Sequence, residues 1–319
     1  MAPGELALAS GNHSPVTQFI LLGFSSYPDL QVLLFGGFLL VYAVTVVGNL
    51  GMMALIFTDS RLHSPMYFFL SVLSFLDICY SSIVTPKLLV DLLASDKSIS
   101  FEGCVVQMTF FVMHATAESF LLASMAYGRF VAIRRPLHYS SVMTKGTCLQ
   151  LVAASYTFGG ANSAIETGNV FALPFCGPNH VTRYFCDIKP LLRLACANTA
   201  TAGLVLYISS ALATLLPAAL ILTSYSLVLV AVGRLRSAAG KEKALSTCAS
   251  HFLAIAIFCS TVILTYVQPH GPTDDTSGQI VSVFYTVIIP MRNPLIYSLR
   301  NKEVKDALQR TLQGSISPC

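Results

Sequence analysis

The residues in this chain that could do chemistry are a few polar side chains inside long apolar segments. Asp77 lies midway along one such segment, and Glu118 lies midway along the next, with His114 four residues before it. Asn49 and Asn293 lie in two further apolar segments. Ionisable side chains are expensive to place in an apolar span, so these positions are candidate functional sites.

Carboxylate and amide oxygens suit a hard cation. We expect Asp77, Glu118 and Asn293 to converge on a hydrated pocket that could hold a sodium ion, with Asn49 in the same polar network. Three other interpretations stay open: a water-filled network that only fixes helix register, an ion pathway, and an intramembrane protease built on the two acids. His114 and Glu118 share a helix face, but a ligand-facing or hydrogen-bonded histidine is favoured over a metal site.

Seven long apolar stretches must position these side chains. The chain is 54% hydrophobic and 11% charged, and unbroken apolar runs favour spanning helices over the alternating strands of a β-barrel. Each stretch can cross a bilayer core of about 30 Å, which takes about 20 helical residues. The stretches are residues 30–57, 66–93, 104–133, 147–167, 201–233, 244–268 and 279–299. We predict an all-α membrane protein whose seven-helix transmembrane domain covers residues 30–299.

The basic residues predict the orientation of this bundle. Thirteen of the 19 Lys and Arg residues lie in or beside the loops after segments one, three and five and in the C-terminal tail. Because basic loops stay in the cytosol, we expect an extracellular tail at 1–29 and a cytoplasmic tail at 300–319 in a multi-pass plasma-membrane protein. Charges confined to short membrane loops argue against a nucleic-acid partner. Residues 301–311 have helical apolar spacing, which predicts a short interfacial helix with Lys and Arg near lipid headgroups.

The sequence shows neither the common motifs of enzymes nor the internal repeats of a transporter. It contains no G-x-S-x-G, no H-E-x-x-H and no Walker loop. A transporter would show internal repeats with paired broken helices, and neither is seen. An odd number of crossings instead allows a signal to pass through the membrane without transport. We expect no enzyme and no cofactor beyond a possible structural sodium ion, and a transporter or channel is the alternative.

The predicted extracellular side contains four cysteines and one glycosylation sequon. Cys104, Cys176, Cys186 and Cys196 lie in an oxidising space, which predicts two disulfides with three possible pairings. A bridge from Cys104 to the loop after segment four would fix that loop over the bundle as a lid. Asn12 begins an Asn-His-Ser sequon in the N-terminal tail, which makes it a candidate glycosylation site.

Several motifs in order resemble those of olfactory receptors, in the rhodopsin-like class of G-protein-coupled receptors. FILLGF at 19–24 is followed by PMYFFLSVLSFLDICYSS at 65–82 and MAYGRFVAIRRPLHY at 125–139. KALSTCASHF at 243–252 and PMRNPLIYSLRN at 290–301 complete the set. The resemblance covers about residues 18–305. It implies an odorant receptor that acts through the olfactory stimulatory G protein to raise cyclic AMP.

The resemblance also implies roles for matching residues. The disulfides would be Cys104–Cys186 and Cys176–Cys196, and Asp77 and Glu118 would be the sodium-site acids. Arg129 would be the switch residue at the cytosolic face, with Tyr225 and Tyr297 as its partners in the active state. The family alignment and the helical period together predict an odorant pocket with a mostly apolar wall. Its candidate residues are Phe111, Val112, His114, Ala115, Thr116, Ser209, Ser210, Ala213, Cys259, Val262, Ile263, Tyr266 and Val283.

Three departures from the family pattern bear on signalling. Gly128 stands where the family usually has an Asp that pairs with Arg129, so we expect raised basal activity or poor folding. Arg292 replaces an apolar residue, and a charge there is costly unless it is paired. Cys259 replaces a tyrosine that often lines the pocket.

Overall fold

The structure of the chain, a computed structural model, is a bundle of long helices with a small sheet at one end. It describes residues 16–176, 178–234, 237, 241, 274–300 and 302–316. The predicted sixth segment, residues 244–268, lies outside the described residues. The helices are α1 (Gln31–Thr58), α2 (Pro65–Leu93), α3 (Phe101–Arg134), α4 (Tyr139–Val142), α5 (Lys145–Phe171), α6 (Ile188–Leu194), α7 (Ala200–Gly233), α8 (Asp274–Val283), α9 (Ile289–Arg300) and α10 (Lys302–Ile316).

The other six predicted segments all coincide with helices. Five helical stretches in the described part of the chain are long and apolar enough to cross a membrane. Helix α5 has 27 residues, which is sufficient length, but its Ser, Thr, Gly and Asn residues make it less apolar than those five. The seventh segment is built from α8 and α9, joined by a π-helical turn at Phe284–Ile288. Such turns insert a residue into a helix and shift the faces on either side of it.

Local sequence signals set several helix starts. The Ser100 hydroxyl accepts the Gly103 N–H at the start of α3, and Thr144 accepts the Thr147 N–H at the start of α5. Pro65 is the first residue of α2, where its missing N–H has no cost. Side-chain caps of this kind satisfy amide groups that the helix itself leaves without partners.

A three-stranded sheet, which the sequence analysis did not predict, covers one end of the bundle. Strand β1 (Gln18–Leu21) lies between β2 (Ser98–Ser100), which runs antiparallel to it, and β3 (His180–Val181), which runs parallel. Side chains alternate along a strand, and in β1 Phe19 and Leu21 are buried against the helices. The sheet therefore ties the N-terminal segment to the loop after α5. We call this end of the bundle the lid end and the opposite end the far end.

At the far end, α10 docks onto the bundle through its apolar face. Val304 and Ala307 are fully buried. Arg310 Nη2 lies 2.6 Å from Asp59 Oδ2 in the loop after α1, and this hydrogen bond lowers the pKa of Asp59. The interfacial helix predicted at 301–311 is present and longer, but Arg310 binds a carboxylate of the protein where a lipid headgroup was expected.

Close contact between α3 and α5 depends on Gly159. A Cβ at this position would lie 2.5 Å from the Met113 carbonyl oxygen and 3.3 Å from the Ala117 Cβ. Small residues at helix contacts let two backbones approach closely. Such close packing is a main source of stability between membrane-spanning helices. The neighbouring Gly160 has nothing within 4 Å of the corresponding point.

Gly159→Ala should therefore destabilise the bundle, by about 1–3 kcal/mol for an overpacked site. The measurement is the thermal unfolding midpoint of the detergent-solubilised protein. Gly160→Ala is the matched control and should leave the midpoint unchanged or raise it slightly, because alanine favours helix. Equal midpoints for the two variants would show that α3 and α5 do not pack in this way.

Candidate functional site

Asp77 of α2 and Asn293 of α9 make the most direct contact among the predicted polar residues. The Asn293 Nδ2 donates to both carboxylate oxygens of Asp77, at 3.1 and 3.0 Å. Both side chains are buried, and a buried carboxylate needs such donors because apolar surroundings supply none. The structure thus brings these two residues together and links α2 to α9.

A proline explains why Asn49 of α1 reaches the same part of α9. Pro294 has no N–H, so the Pro290 carbonyl cannot accept the usual helical hydrogen bond from it. The Asn49 Nδ2 donates to that carbonyl at 3.2 Å and to the Thr45 carbonyl at 2.9 Å. A Cβ at Gly48 would lie 3.3 Å from Pro294 Cγ, so glycine at this position lets α1 approach closely enough for the contact.

Glu118 of α3 is the third predicted member of this polar network. Its carboxylate lies beside the Asn293 side chain and near Arg292. Arg292 also attracts the Asp77 carboxylate. Both acids therefore lie within electrostatic reach of the guanidinium, and their negative charge offsets part of the cost of placing Arg292 inside a span.

A cavity of about 200 Å³ opens on the lid-end side of this network. Its described walls come from α2, α3, α5, α7, the start of α6 with the loop before it, and the seventh segment. Seven of the predicted site residues line it: Phe111, Val112, Ala115, Thr116, Glu118, Ser210 and Ala213. The aromatic ring of Phe111 stacks on Tyr80 with centroids 5.0 Å apart, which fixes one wall. The cavity thus has an apolar lining with a few polar groups, as small-molecule sites usually have.

The cavity also has lining residues that the sequence analysis missed. Glu166 and Asn162 of α5, Asp187 of the lid, and Tyr80 and Tyr285 all face it. Glu166 lies within the predicted fourth segment, so the rule that singled out Asp77 and Glu118 could have found it as well. Asn162 lies in the same segment and is a polar exception of the kind that singled out Asn49. The two tyrosines and the loop acid Asp187 carry no comparable signal, because such residues have many ordinary roles.

His114 does not line the cavity, contrary to the prediction. Its Nδ1 lies 2.7 Å from the Phe110 carbonyl oxygen one turn earlier in α3. Its ring makes an edge contact with Tyr156 of α5. A helical side chain with a donor nitrogen can bond the carbonyl four residues before it, and this bond turns the ring toward the α3–α5 contact.

Ser209 and Val283 are also displaced from their predicted places. Ser209 is buried and donates to the Glu166 Oε1 at 3.3 Å and to the Leu206 carbonyl at 3.1 Å, so it lies behind Glu166. Val283 packs on a cluster around Phe38 of α1. One residue along a helix turns a side chain by about 100°, and the helical period alone could not tell Ser209 from its neighbour in the wall.

The lid is fastened to α3 by a disulfide and a buried glutamine. The structure contains Cys104–Cys186 and, within the lid, Cys176–Cys196. Gln107 of α3 accepts the Cys186 N–H at 2.9 Å through Oε1 and donates to the Ile83 carbonyl of α2 at 3.2 Å. The segment after Cys186 is thereby held over the cavity mouth.

Asp187, next to this disulfide, supplies an acidic group to the cavity. Burial raises the pKa of its carboxyl, and the Arg183 guanidinium opposes that rise. The Arg183 Nε lies 3.9 Å from the Asp187 Oδ2. This pair keeps the lid acid charge-compensated within the protein.

At the far end, Arg129 is buried on α3 beside Gly128. Tyr139 lies near the Arg129 guanidinium. Burial raises the pKa of the Tyr139 hydroxyl, and the positive charge of Arg129 opposes that rise. A Cβ at Gly128 would lie 3.4 Å from Met143 Cε, which is ordinary contact. Glycine here is therefore not required by space, and its effect is to leave Arg129 without an adjacent acid in the sequence.

Other predicted switch and site residues are only partly described. Tyr225 of α7 is buried in the far-end cluster that also contains Val131 of α3, so it is placed at the same end as Arg129. The Tyr297 side chain lies outside the described part of the chain, and its contact with Arg129 stays a prediction. The same holds for the predicted roles of Asn12, Cys259, Val262, Ile263 and Tyr266.

Comparison with known proteins places this architecture in a family. The family model described as olfactory receptor matches residues 38–314. Mouse olfactory receptor 5AP2 is 50% identical over 305 residues, which is 96% of each chain. Human olfactory receptor 5B21 is 50% identical over 303 residues, which is 94% of this chain and 97% of that protein.

The chain belongs to the olfactory receptor family. The family membership and the long apolar helices together confirm the predicted fold class, an all-α membrane bundle. This olfactory receptor is a multi-pass membrane protein and not an enzyme. An intramembrane protease is excluded with it.

Because Cys104 and Cys186 act as one bond in this receptor, replacing either should cost about 2–5 kcal/mol of unfolding free energy. Cys104→Ser, Cys186→Ser and the double variant should have similar thermal midpoints in detergent. Cys79→Ser, which removes a free thiol, should match the parent. A double variant much less stable than either single would mean that the two sulfurs act separately.

Proposed function

We propose that this receptor binds a small, largely apolar odorant in the lid-end cavity and activates the olfactory stimulatory G protein, which raises cyclic AMP. The single observation that carries the proposal is the cavity of about 200 Å³ in a chain of the olfactory receptor family. Its described walls enclose less than the roughly 300–1,000 Å³ of drug-sized sites, which favours a small ligand. The positive-inside distribution of Lys and Arg supports an extracellular lid end.

Affinity in this site comes mainly from burying carbon. Phe111, Val112 and Ala213 offer apolar surface, and Thr116 offers a hydroxyl that already accepts a hydrogen bond from Asn162 at 3.1 Å. A ligand of about ten heavy atoms binds in the micromolar range by ligand-efficiency reasoning. A few polar contacts then distinguish one odorant from another.

Glu118 connects the odorant cavity to the buried network. It lines the cavity, lies beside the Asn293 side chain and is attracted by the charge of Arg292, both residues of α9. A ligand shifts an equilibrium only if it binds one state better than the other, and a coupling of about 1–3 kcal/mol is typical. A change at the cavity wall that alters the Glu118 contacts would bias the position of the seventh segment.

The far end supplies the G-protein surface in this proposal. Arg129 lies at the cytosolic end of α3, and a swing of the sixth segment would open a groove beside it for an amphipathic helix of the G protein. Helix α10 and the basic residues of the nearby loops orient that partner. The Gly128 departure leads us to expect raised basal signalling.

The polar network also suits a sodium ion. Asp77 and Glu118 offer carboxylate oxygens, and within the described residues the buried Asn49 Oδ1 has no hydrogen-bond partner. Hard cations prefer such oxygen ligands. A bound sodium ion would supply positive charge that stabilises the resting arrangement, and Arg292 competes with it for the same two acids.

The proposal also includes glycosylation of Asn12 and contacts between the spans and membrane lipid.

A cyclic-AMP reporter assay with an odorant panel tests the proposed function. Arg129→Ala should abolish the odorant response while surface display, read from an N-terminal tag on intact cells, persists. Arg193→Ala is the matched control, because Arg193 is exposed on the lid side, and it should respond like the parent. If Arg129→Ala signals as strongly as the parent, Arg129 is not the switch.

The sodium proposal has its own test in washed membranes. Replacing potassium by sodium at constant ionic strength should lower basal G-protein activation, and Asp77→Ala should abolish that effect. Asp29→Ala, at an exposed position before α1, should leave it intact. If sodium does not change the basal activity of the parent receptor, the sodium proposal is wrong.

A further inference from the structure

We infer that the odorant for this cavity carries a positively charged amine, which the Glu166 carboxylate binds. This inference rests on the odorant-binding function proposed above and specifies the chemical class of its ligand. The evidence is the partnering of the three carboxyl groups that line the cavity, those of Glu118, Glu166 and Asp187.

Two of these carboxyl groups have a positive partner within the protein. Glu118 is attracted by Arg292, and Asp187 lies 3.9 Å from the Arg183 guanidinium. Each of these two acids therefore has a positive side chain of the protein nearby before any ligand arrives, although Arg292 is shared between Glu118 and Asp77. Their need for a cation from the ligand is correspondingly smaller than that of an acid with no such neighbour.

Glu166 differs, because its hydrogen-bond partners in the described structure are all neutral and the charged group that acts on it, Asp187, is another acid. Its Oε1 accepts hydrogen bonds from the Ser210 hydroxyl at 2.5 Å and the Ser209 hydroxyl at 3.3 Å, and Asn162 lies beside it. The residue is only 3% exposed. No described residue of the cavity wall is Lys, Arg or His.

A buried carboxylate with only neutral donors is poorly compensated, since hydroxyl dipoles do not replace a counter-charge. An aliphatic amine has a pKa near that of lysine, about 10.4, so it enters as an ammonium ion. Its N–H groups form charge-assisted bonds, which are about twice as strong as neutral ones. A carboxylate accepts about four hydrogen bonds, so two bonds to Oε1 leave capacity for the ligand.

The rest of the cavity restricts what is attached to the amine. Val112, Ala213 and Ile289 are apolar, which suits a short hydrocarbon tail. An anionic ligand would meet three carboxyl groups and is disfavoured. The geometry therefore points to a small aliphatic or alicyclic monoamine in preference to an acid or a neutral alcohol of the same shape.

The competing explanation is that Glu166 only links α5 to α7 through its serine bonds. Glutamine has the same shape and keeps an oxygen that accepts from Ser209 and Ser210, but it has no charge. Glu166→Gln thus preserves the link and removes the proposed ligand contact. Glu166→Asp keeps the charge, and Glu102→Gln repeats the neutralisation at an exposed position on α3.

The experiment measures cyclic-AMP dose–response curves of the full-length receptor for matched pairs: hexylamine and hexanol, cyclohexylamine and cyclohexanol, isopentylamine and isopentanol. Surface display is measured for every variant. The parent and Glu102→Gln should respond to at least one amine at about tenfold lower concentration than to its alcohol. Glu166→Gln should lose that preference while keeping the alcohol response, and Glu166→Asp should retain part of it.

Each alternative result would overturn the inference about the amine, and one of them also counts against the proposed function. Activation by alcohols alone, or an amine preference that survives in Glu166→Gln, overturns the inference and leaves the odorant function standing. Equal loss of both responses in a well-displayed Glu166→Gln receptor shows a structural role and also overturns the inference. A displayed parent receptor that responds to no probe counts against the inference and the proposed function together.

Discussion

Hydrocarbon offers no hydrogen-bond partner, so every polar group within a span must find one inside the bundle. This constraint explains the placement of the buried polar residues described above. The Asn293 amide donates to both carboxylate oxygens of Asp77, and the Asn49 amide donates to the Pro290 carbonyl, which Pro294 leaves without a helical partner. The helices that these contacts join are far apart in sequence. Polar contacts of this kind, together with close packing at small residues such as Gly159, fix which helices are neighbours.

The same constraint connects the two ends of the receptor. The lid-end cavity and the polar network share Glu118, and the network includes Asn293 of α9, the helix that leads to α10 at the far end. Helix α10 is held in turn by Val304 and by the Arg310–Asp59 ion pair. At the lid end, Cys186 and Gln107 hold the loop over the cavity. Signal transmission is thus proposed to run through contacts that the fold already needs for its own stability.

Hydropathy predicted the bundle well because burial in a membrane selects apolar residues over whole segments. It could not predict the sheet, whose strands have only two to four residues, too few for a periodic signal. Within the site, the polar residues Asp77 and Asn293 were predictable because they are exceptions in apolar runs. His114 and Ser209 were placed wrongly because the direction of a side chain depends on its local bonds. Glu166 was overlooked although it obeys the same rule as Asp77.

The placement of the cavity inside the bundle is tested most directly by cysteine accessibility on α7. Ala213 lines the cavity, whereas the adjacent Leu212 is 62% exposed on the apolar outer side. In intact cells, a water-soluble methanethiosulfonate reagent should modify Ala213→Cys and not Leu212→Cys, relative to the parent receptor, and an activating odorant should slow the reaction. Equal modification of the two variants, with no protection by the odorant, would contradict an interior odorant site.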